Sequence, residues 1–244
     1  MTTAVQRLKQ VLAPLKDTPL HPQWLVLRAD KATRAAIHLM ANGRVLDVGC
    51  GNRWVERCLP SNTQYVGLDY PTTISKGYAG KADVFSDGQC LPFASNSFDT
   101  VVLMDVLEHL PAPDLAISEA WRVLKPEGML IVQVPFLYPL HDQPHDFQRW
   151  SEQGLQILLT KHLFTLNSMT GQGHTLETAS ALMAIALAHS VLDAAQHKKI
   201  TLLLAPLLLS AIPVINLIGW GLAKLIPAST IMPLGYRVVA CKTA

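Results

Sequence analysis

The spacing of hydrophobic positions changes at about residue 42 of the chain. Before it the spacing is helical, and one face of the first 16 residues carries five apolar side chains, Val5, Leu8, Val11, Leu12 and Leu15. A second helix is predicted from Pro22 to Ala41, because the helical pattern stops at Asn42-Gly43. Residues 1–42 are therefore predicted to form a helical N-terminal extension.

After residue 42, short apolar segments alternate with helical ones. The predicted strands are RVLDVG, QYVGLD, ADVFS, DTVVLM and GMLIVQVPF, and the clearest helix between them is PDLAISEAWRVLKP. The strands are apolar on both faces, which is typical of a parallel sheet covered by helices. The pattern therefore predicts an α/β fold.

The last third of the chain has a different pattern. From Ser151 a helix (SEQGLQILLTKH) and then a strand (LFTLNSMTG) are predicted, and the chain ends in an alternating segment, GYRVVACKT, that predicts a further strand. Two long apolar stretches, Thr178 to Leu192 and Ile200 to Ala223, lie between these last two strands. They are predicted to form an insertion, residues 176–232.

Composition narrows the class of protein. The 244 residues are 50% hydrophobic and 16% charged, which allows a large buried core and excludes a disordered chain. A net charge of +2 gives no support for a nucleic-acid partner. The four cysteines form no CxxC pair, and the N-terminus has no apolar segment of signal-peptide length. These features predict a cytoplasmic protein with unpaired thiols.

The segment VLDVGCG carries the first candidate chemistry. Gly49 and Gly51 follow the first parallel strand, where a glycine lets the backbone approach a ligand closely. The third glycine of a dinucleotide-binding turn is replaced by Asn52-Arg53-Trp54, which disfavours NAD and FAD. Asp69 lies 22 residues after Asp47, at the spacing of a carboxylate that binds both ribose hydroxyls.

Acidic residues also follow the next two strands. Asp87 comes after the third strand, where it could accept a hydrogen bond from an adenine amino group, and Asp105 ends the fourth strand. With Asp47 and Asp69 they place four acids at four successive strand ends. This arrangement favours a cationic ligand over a dinucleotide.

Four segments in order, VLDVGCG, YVGLD, SDGQCLPFASNSFDTVVLMDVLEHL and RVLKPEGMLIVQVPF, closely resemble the motifs of class I S-adenosylmethionine-dependent methyltransferases, in the branch that includes quinone-biosynthesis C-methyltransferases. The resemblance covers residues 43–151 and the last ten or so. It implies a Rossmann-like, doubly wound seven-stranded sheet with an antiparallel last strand. It also implies S-adenosylmethionine as cofactor, bound by Asp47, Gly49, Gly51, Asp69, Asp87, Gly88 and Asp105. In this set Gly49 and Gly51 face the methionine moiety, Asp69 binds the ribose, Asp87 lies near the adenine, and Asp47 orders the methionine end.

The segment that follows strand five, VPFLYPLHDQPHDFQRWS, is the candidate acceptor loop. Its density of polar side chains predicts contact with substrate, and His141 or His145 is the candidate general base, oriented by Asp142 or Asp146. In the alternative interpretation Asp146 caps the turn and pairs with Arg149. A metal site formed by His141, Asp142, His145 and Asp146 is disfavoured because Pro144 interrupts helical spacing, so no metal is predicted. His109 is expected to pack beside the helix after strand four.

The insertion is acid-free from Ile200 onward, and its apolar stretches approach the length of a membrane span. Pro206 and Pro213 interrupt the second stretch, so a shallow membrane hairpin, with Trp220 and Lys224 at the interface, fits better than two full spans. A buried helical lid and a dimer interface are the alternatives.

These patterns predict four segments: residues 1–42, a methyltransferase core over 43–175, the insertion over 176–232, and the final core strand over 233–244. The predicted activity is methyl transfer from S-adenosylmethionine to a small-molecule acceptor of the glycan, lipid or quinone type, lipid-linked or close to the cytoplasmic face of a membrane. Two alternatives are an NAD(P)-dependent oxidoreductase and a membrane scaffold that holds the cofactor without catalysis.

Overall fold

The computed structural model describes residues 13–71, 81–229 and 231–243. The predicted first helix lies outside the described residues except for a short 3-10 turn at Ala13–Leu15. Helix α1 (Trp24–Met40) confirms the second predicted helix. The chain divides into two compact units, one formed by residues 1–31, 137–139 and 172–234, and the other by residues 32–136, 140–171 and 235–244.

A seven-stranded sheet forms the centre of the second unit. Its strands are β1 (Arg44–Val48), β2 (Gln64–Asp69), β3 (Val84–Phe85), β4 (Phe98–Met104), β5 (Leu124–Pro135), β6 (Phe164–Gln172) and β7 (Gly235–Lys242). They lie in the order β3-β2-β1-β4-β5-β7-β6. Strands β1 to β5 pair in parallel, and β7 runs antiparallel to β5. The predicted doubly wound, Rossmann-like fold with an antiparallel last strand is confirmed.

Neighbouring residues of the central strands point to opposite faces of the sheet and enter two separate cores. Leu46, Val101 and Leu130 pack on one face. Val45, Val102 and Ile131, each adjacent to one of these, pack on the other face with Ile37 of α1. Because side chains of a strand alternate between faces, a sheet buried on both sides requires the unbroken apolar runs of the sequence.

Two further helices, α2 (Pro113–Val123) and α3 (Glu152–Lys161), belong to this unit. The predicted helix PDLAISEAWRVLKP ends three residues early, at Val123, and β5 begins at Leu124. Pro126 explains the difference, because the residue before a proline is disfavoured in helical conformation. Leu124 is already extended, with φ −68° and ψ 138°.

The first unit contains the two long apolar helices, α4 (Thr175–Gln196) and α5 (Ala205–Leu225), with a 3-10 turn at Ile200–Leu204 between them. Asn216 of α5 is buried, and its amide donates to the backbone oxygens of Pro19 and His21 at 2.7 and 3.1 Å. Helix α4 has 22 residues, longer than the apolar stretch from Thr178 to Leu192. By length and composition, both segments could cross a membrane.

Helices α4 and α5 are in close contact at Gly219. A Cβ atom added there would lie 2.5 Å from Cβ of Ser180, so only glycine fits at this contact. We expect Gly219→Val to separate the two helices and to lower the free energy of unfolding by about 1–3 kcal/mol. Gly221→Val is the matched control, because no atom lies within 4 Å of a Cβ at that position. Equal unfolding midpoints for the two variants would contradict this packing.

Candidate functional site

The loop after β1 bends back across the end of β2. Backbone amides of Gly49 and Cys50 both donate to the carbonyl oxygen of Leu68, at 2.8 and 3.0 Å. Gly49 and Gly51 have positive φ angles of 75° and 49°, and a Cβ on Gly49 would lie 2.5 Å from Cγ2 of Val106. The bend therefore requires glycine for two reasons, its backbone conformation and the space beside Val106.

Arg53 stands near the place of the missing third glycine and also has a positive φ, 56°. Its guanidinium donates to the carboxylate of Glu56 at 2.8 and 2.9 Å, to Asp83 at 2.9 Å and to the carbonyl oxygen of Lys81 at 2.7 Å. These hydrogen bonds, with Glu56 first, raise the pKa of Arg53. The side chain thus ties the glycine loop to the residues that precede β3, a role that sequence reasoning missed.

Asp69, the predicted ribose ligand, ends β2 beside this loop. Its Oδ2 accepts a hydrogen bond from the backbone amide of Gly51 at 3.0 Å, and its Oδ1 accepts one from the backbone amide of Tyr70 at 2.8 Å. These two bonds orient the carboxylate beside the glycine loop. The structure brings Asp69 and Gly51 together, and the role of Asp69 as a ribose ligand stays a prediction.

Asp47 is a residue of β1, and its side chain is buried. Its Oδ2 accepts a hydrogen bond from the hydroxyl group of Tyr65 at 2.7 Å. Burial raises the pKa of Asp47 to about 7, against the opposing effect of the Tyr65 hydrogen bond, and the negative charge of Asp69 raises it further. Burial, with the charge of Asp47 second, also raises the pKa of the Cys50 thiol to about 12. A cation bound here would favour the ionised form of Asp47.

Asp87 and Gly88 lie in the turn after β3. The carboxylate of Asp87 accepts hydrogen bonds from the backbone and the side-chain amide of Gln89, both to Oδ1, at 2.8 and 3.1 Å. Gln89 Oε1 in turn accepts from the backbone amide of Ala112 at 3.0 Å, just before α2. A Cβ on Gly88 would lie 3.0 Å from Cγ1 of Val48, so this turn lies close against the end of β1. The role of Asp87 near an adenine stays a prediction.

Asp105 follows β4 and has a positive φ of 54°. Its backbone amide donates to the carbonyl oxygen of Gln133, and the Gln133 side-chain amide donates to its Oδ2, both at 3.0 Å. The Gln133 side chain is buried and accepts a hydrogen bond from Thr33 at 2.8 Å. Asp105 therefore has a fixed orientation at the carboxyl end of the sheet.

In the predicted acceptor loop, Asp146 is held by hydrogen bonds to other residues of the same loop. Both of its oxygens pair with the Arg149 guanidinium, and Oδ2 also accepts from the backbone amide of His141 at 2.9 Å. These contacts, the Arg149 hydrogen bond above all, lower the pKa of Asp146 to about 2. Asp146 is therefore ionised near neutral pH and does not take up a proton at that pH.

The two candidate histidines differ in their surroundings. Nδ1 of His141 lies 3.4 Å from Oδ2 of Asp146. In this arrangement the carboxylate can orient the ring of a histidine that acts as a base. The ring of His145 packs edge-on to Phe147, with 6.1 Å between ring centroids. The structure therefore favours His141 over His145 as the histidine that Asp146 orients.

Sequence reasoning missed Glu108, whose side chain has no exposed surface. It lies in the 3-10 turn Leu107–His109 after β4, and its ligand-capable atoms lie within 4.8 Å of those of His109 and His141. Among the described residues neither Glu108 oxygen has a hydrogen-bond partner. Burial, with the charge of Asp105 second, raises its pKa well above the ordinary value. His109 was expected to pack beside the helix after strand four, which stays a prediction; its Nδ1 lies 2.6 Å from the carbonyl oxygen of His145.

Comparison with known proteins agrees with this geometry. Residues 46–132 match the family model described as a methyltransferase domain. This match supports a class I S-adenosylmethionine-dependent methyltransferase domain in this segment. The matched segment extends from β1 to β5 and contains Asp47, Asp69, Asp87, Asp105 and Glu108. S-adenosylmethionine is the cofactor of this family.

Curated relatives of the methyltransferase domain share its central part with this chain. A demethylmenaquinone methyltransferase from Lactiplantibacillus plantarum is 34% identical over 115 residues, which are 41% of this chain and 48% of the relative. A sterol 24-C-methyltransferase from Clavispora lusitaniae is 29% identical over 133 residues, 50% of this chain and 36% of the relative. The chain therefore spans less than half the length of these relatives.

Solved structures show the same fold at low identity. A SAM-dependent methyltransferase from Archaeoglobus fulgidus matches 88% of this chain and 93% of its own, with TM-score 0.54 and 19% identity. The [4+2]-cyclase SpnF matches 87% of this chain and 79% of its own, with TM-score 0.56 and 22% identity. Because a cyclase shares the methyltransferase fold, the fold alone does not determine the reaction.

Proposed function

We propose that this chain transfers the methyl group of S-adenosylmethionine to a small-molecule acceptor. The observation that carries the proposal is the Asp69 carboxylate, fixed on the backbone amide of Gly51 inside a glycine loop that belongs to a methyltransferase domain. A carboxylate at the end of the second strand suits hydrogen bonds from the two ribose hydroxyls. Asp47, with a pKa raised to about 7, supplies a negative charge to the methionine end when a cation binds.

Methyl transfer from a sulfonium is an in-line displacement, so the main task of the protein is to hold donor and acceptor in line. The new bond forms between the acceptor atom and the methyl carbon as the carbon–sulfur bond breaks, and S-adenosylhomocysteine leaves. Where the acceptor loses a proton, we assign His141 as the base. Asp146, 3.4 Å from Nδ1 of His141, orients the ring and stabilises the imidazolium that forms.

A dinucleotide cofactor is the rival for the same loop. It would need close approach of a pyrophosphate at the third glycine position, which Asn52-Arg53-Trp54 replaces. The Arg53 side chain is held by Glu56 and Asp83 at this end of the loop. These contacts favour a ligand that has no phosphates.

Methyl transfer is tested by mass spectrometry of extracts from cells with the active protein and from cells that carry Asp69→Ala. We expect a product that is heavier by one CH₂ group only with the active protein. Incubation of the purified protein with S-adenosylmethionine that carries a labelled methyl group must move the label to the same product. Cofactor binding without any labelled product would instead support a non-catalytic scaffold.

We further propose that the acceptor is lipid-linked or membrane-proximal and that helices α4 and α5 associate with the cytoplasmic face of a membrane. The named relatives act on demethylmenaquinone and a sterol, both apolar molecules. In the apolar windows of the two helical segments only 28% and 17% of the residues are buried. A buried lid would hide most of these side chains, so the exposure favours the membrane.

The apolar surface of this unit is large. It includes Ile200, Leu203, Leu204, Leu207, Val214, Ile218 and Leu225, each more than half exposed. Extended exposed apolar patches mark protein or membrane contacts in soluble proteins. Lys224 lies over the ring of Trp220 with Nζ 3.7 Å from the centroid, a pair that suits the boundary between lipid and water.

We expect the wild-type protein to float with vesicles of phosphatidylcholine and phosphatidylglycerol. A triple variant, Leu203→Asp, Leu207→Asp and Ile218→Asp, should remain at the bottom of the gradient, because it places three charges on the apolar surface. Ile157→Asp is the matched control, since Ile157 is 67% exposed on α3, outside this surface, and this variant should float. Equal flotation of the triple variant and the wild type would contradict membrane association, and a change of oligomeric state alone would indicate a dimer interface.

A further inference from the structure

Two histidine rings lie beside the buried carboxyl group of Glu108. Nε2 of His109 is 3.7 Å from Oε1 of Glu108, and Nε2 of His141 is 3.8 Å from the same oxygen. In a tetrahedral site with bonds of about 2.0–2.1 Å, ligand atoms are about 3.3 Å apart. Each nitrogen is therefore only a few tenths of an ångström farther from Oε1 than in such a site, and the ligand atoms of the three residues all lie within 4.8 Å of one another.

The other nitrogen of each ring faces an acceptor. Nδ1 of His109 is 2.6 Å from the carbonyl oxygen of His145, and Nδ1 of His141 is 3.4 Å from the Asp146 carboxylate. A proton on Nδ1 in each ring leaves the Nε2 lone pair directed toward Glu108. Histidine ligands of metal ions are typically held in this way, with the second ring nitrogen donating to a carbonyl or carboxylate.

Glu108 is the second and independent observation. Its side chain has no exposed surface, and among the described residues neither of its oxygens has a hydrogen-bond partner. Buried polar atoms without partners are rare because each costs about 1–3 kcal/mol. The negative charges of Asp105 and Asp146 also raise the pKa of Glu108, and the positive charge of Arg149 opposes them. The surroundings are therefore favourable to a cation.

We propose that Glu108, His109 and His141 bind a divalent transition-metal ion. Two imidazoles and one carboxylate are the ligands that Zn²⁺ and its neighbours in the transition series prefer over Mg²⁺ or Ca²⁺. The His109 and His141 side chains are 22% and 29% exposed, so the ion can reach the site from solvent. Of the residues considered for a metal from the sequence, only His141 belongs to this set, and Glu108 and His109 replace the others.

Three protein ligands leave at least one coordination position open. The ion would hold a water molecule there or, in the methyltransferase reaction, an oxygen atom of the acceptor, whose acidity it would increase. With Nε2 of His141 on the ion, this effect would take the place of His141 as the base. This second assignment rests on the proposed function, because it needs an acceptor in the site. The metal site itself rests only on the three side chains.

The test is a titration of the full-length protein with Zn²⁺ after treatment with a chelator. We expect one equivalent to bind, and we expect Glu108→Gln and His141→Ala each to weaken binding at least about 100-fold, since loss of even an outer partner typically costs about 10–100-fold. His197→Ala is the control, because His197 is 63% exposed at the end of α4, and it should bind as wild type does. Co²⁺ in place of Zn²⁺ should give the visible absorption of a low-coordinate site in the wild type and lose it in both ligand variants.

Absence of zinc uptake by the wild type would overturn the inference, as would unchanged affinity in both Glu108→Gln and His141→Ala. Thermal unfolding of each variant shows whether a loss of binding is a loss of folding. S-adenosylhomocysteine binding, measured on the same samples, separates the two proposals. Retained nucleoside binding without zinc overturns the metal site alone, and retained zinc binding without the nucleoside overturns the proposed function alone.

Discussion

Asp69→Ala should lower the affinity for S-adenosylhomocysteine about 100-fold or more. The variant loses the carboxylate proposed to bind the ribose and also the acceptor of the Gly51 amide at 3.0 Å, so the glycine loop loses its attachment. Hydrogen bonds to a charged group are worth about 1.5–3 kcal/mol, and each 1.4 kcal/mol is a factor of ten in affinity. Isothermal titration calorimetry measures the effect.

Asp114→Ala is the matched control for this experiment. Asp114 is also an acid in a polar cluster, bonded to Lys161 and His162, but it lies at the start of α2 and is 46% exposed. Its affinity for S-adenosylhomocysteine should equal that of the wild type. If Asp69→Ala binds the nucleoside as tightly as Asp114→Ala does, while both remain folded, Asp69 is not the ribose ligand.

The second large effect is a pH dependence that Asp47 causes. In the folded protein its pKa is raised to about 7 by burial, whereas the ordinary value is 3.8. A raised acid pKa means that the folded state binds more protons, so this group lowers stability as pH rises from about 4 to about 7. The α-ammonium group, which S-adenosylmethionine and S-adenosylhomocysteine share, favours ionised Asp47, so affinity for either should rise with pH up to about 7 and level off above it.

Asp47→Asn removes the titration and keeps an oxygen that can accept the Tyr65 hydrogen bond. We expect the variant to bind S-adenosylhomocysteine with nearly constant affinity between pH 5 and 8, whereas wild-type affinity falls by up to about tenfold per pH unit below 7. At pH 8 the variant should bind at least about tenfold more weakly than the wild type but unfold at higher temperature. A pH profile that is the same in the two proteins would show that Asp47 does not titrate with ligand binding.

The sheet and the glycine loop could be predicted because their signals are local. Unbroken apolar runs mark the strands, a glycine follows the first of them, and parallel strands bring their carboxyl ends to one edge. The meeting of Asp69 with Gly51 follows from this rule. The Arg53 contacts do not, because Asp83 lies 30 residues away and only the folded chain shows that the two side chains meet.

The same limit applies to the cluster of Glu108, His109 and His141. Glu108 and His141 are more than 30 residues apart, and the backbone amide of Phe147 donates to the Glu108 carbonyl oxygen at 2.8 Å to fix the loop on the turn. In the sequence, Glu108 resembles an ordinary solvent-exposed acid within the motif. Its one local signal is the apolar run around it, VLMDVLEHL, which offers few polar side chains that could pair with its charge.

The extent of α4 was underestimated for a different reason. The apolar stretch stops where Glu177 and Asp193 begin to appear, but the helix continues past both, from Thr175 to Gln196. Glu177 lies in the first turn, where an acid stabilises the helix dipole, and the His174 side chain accepts the Leu176 amide at 3.1 Å. The two charged residues therefore end the apolar stretch of the sequence but do not end the helix.

A comparison of the binding of two ligands tests the central claim most directly. Purified protein is titrated with S-adenosylhomocysteine and, separately, with NADH, under the same conditions. The glycine loop with Asp69 and Asp47 predicts tight, one-to-one binding of the nucleoside and no measurable binding of NADH. Tight binding of NADH with no heat from S-adenosylhomocysteine would contradict the assignment of this loop and of the methyl-transfer function.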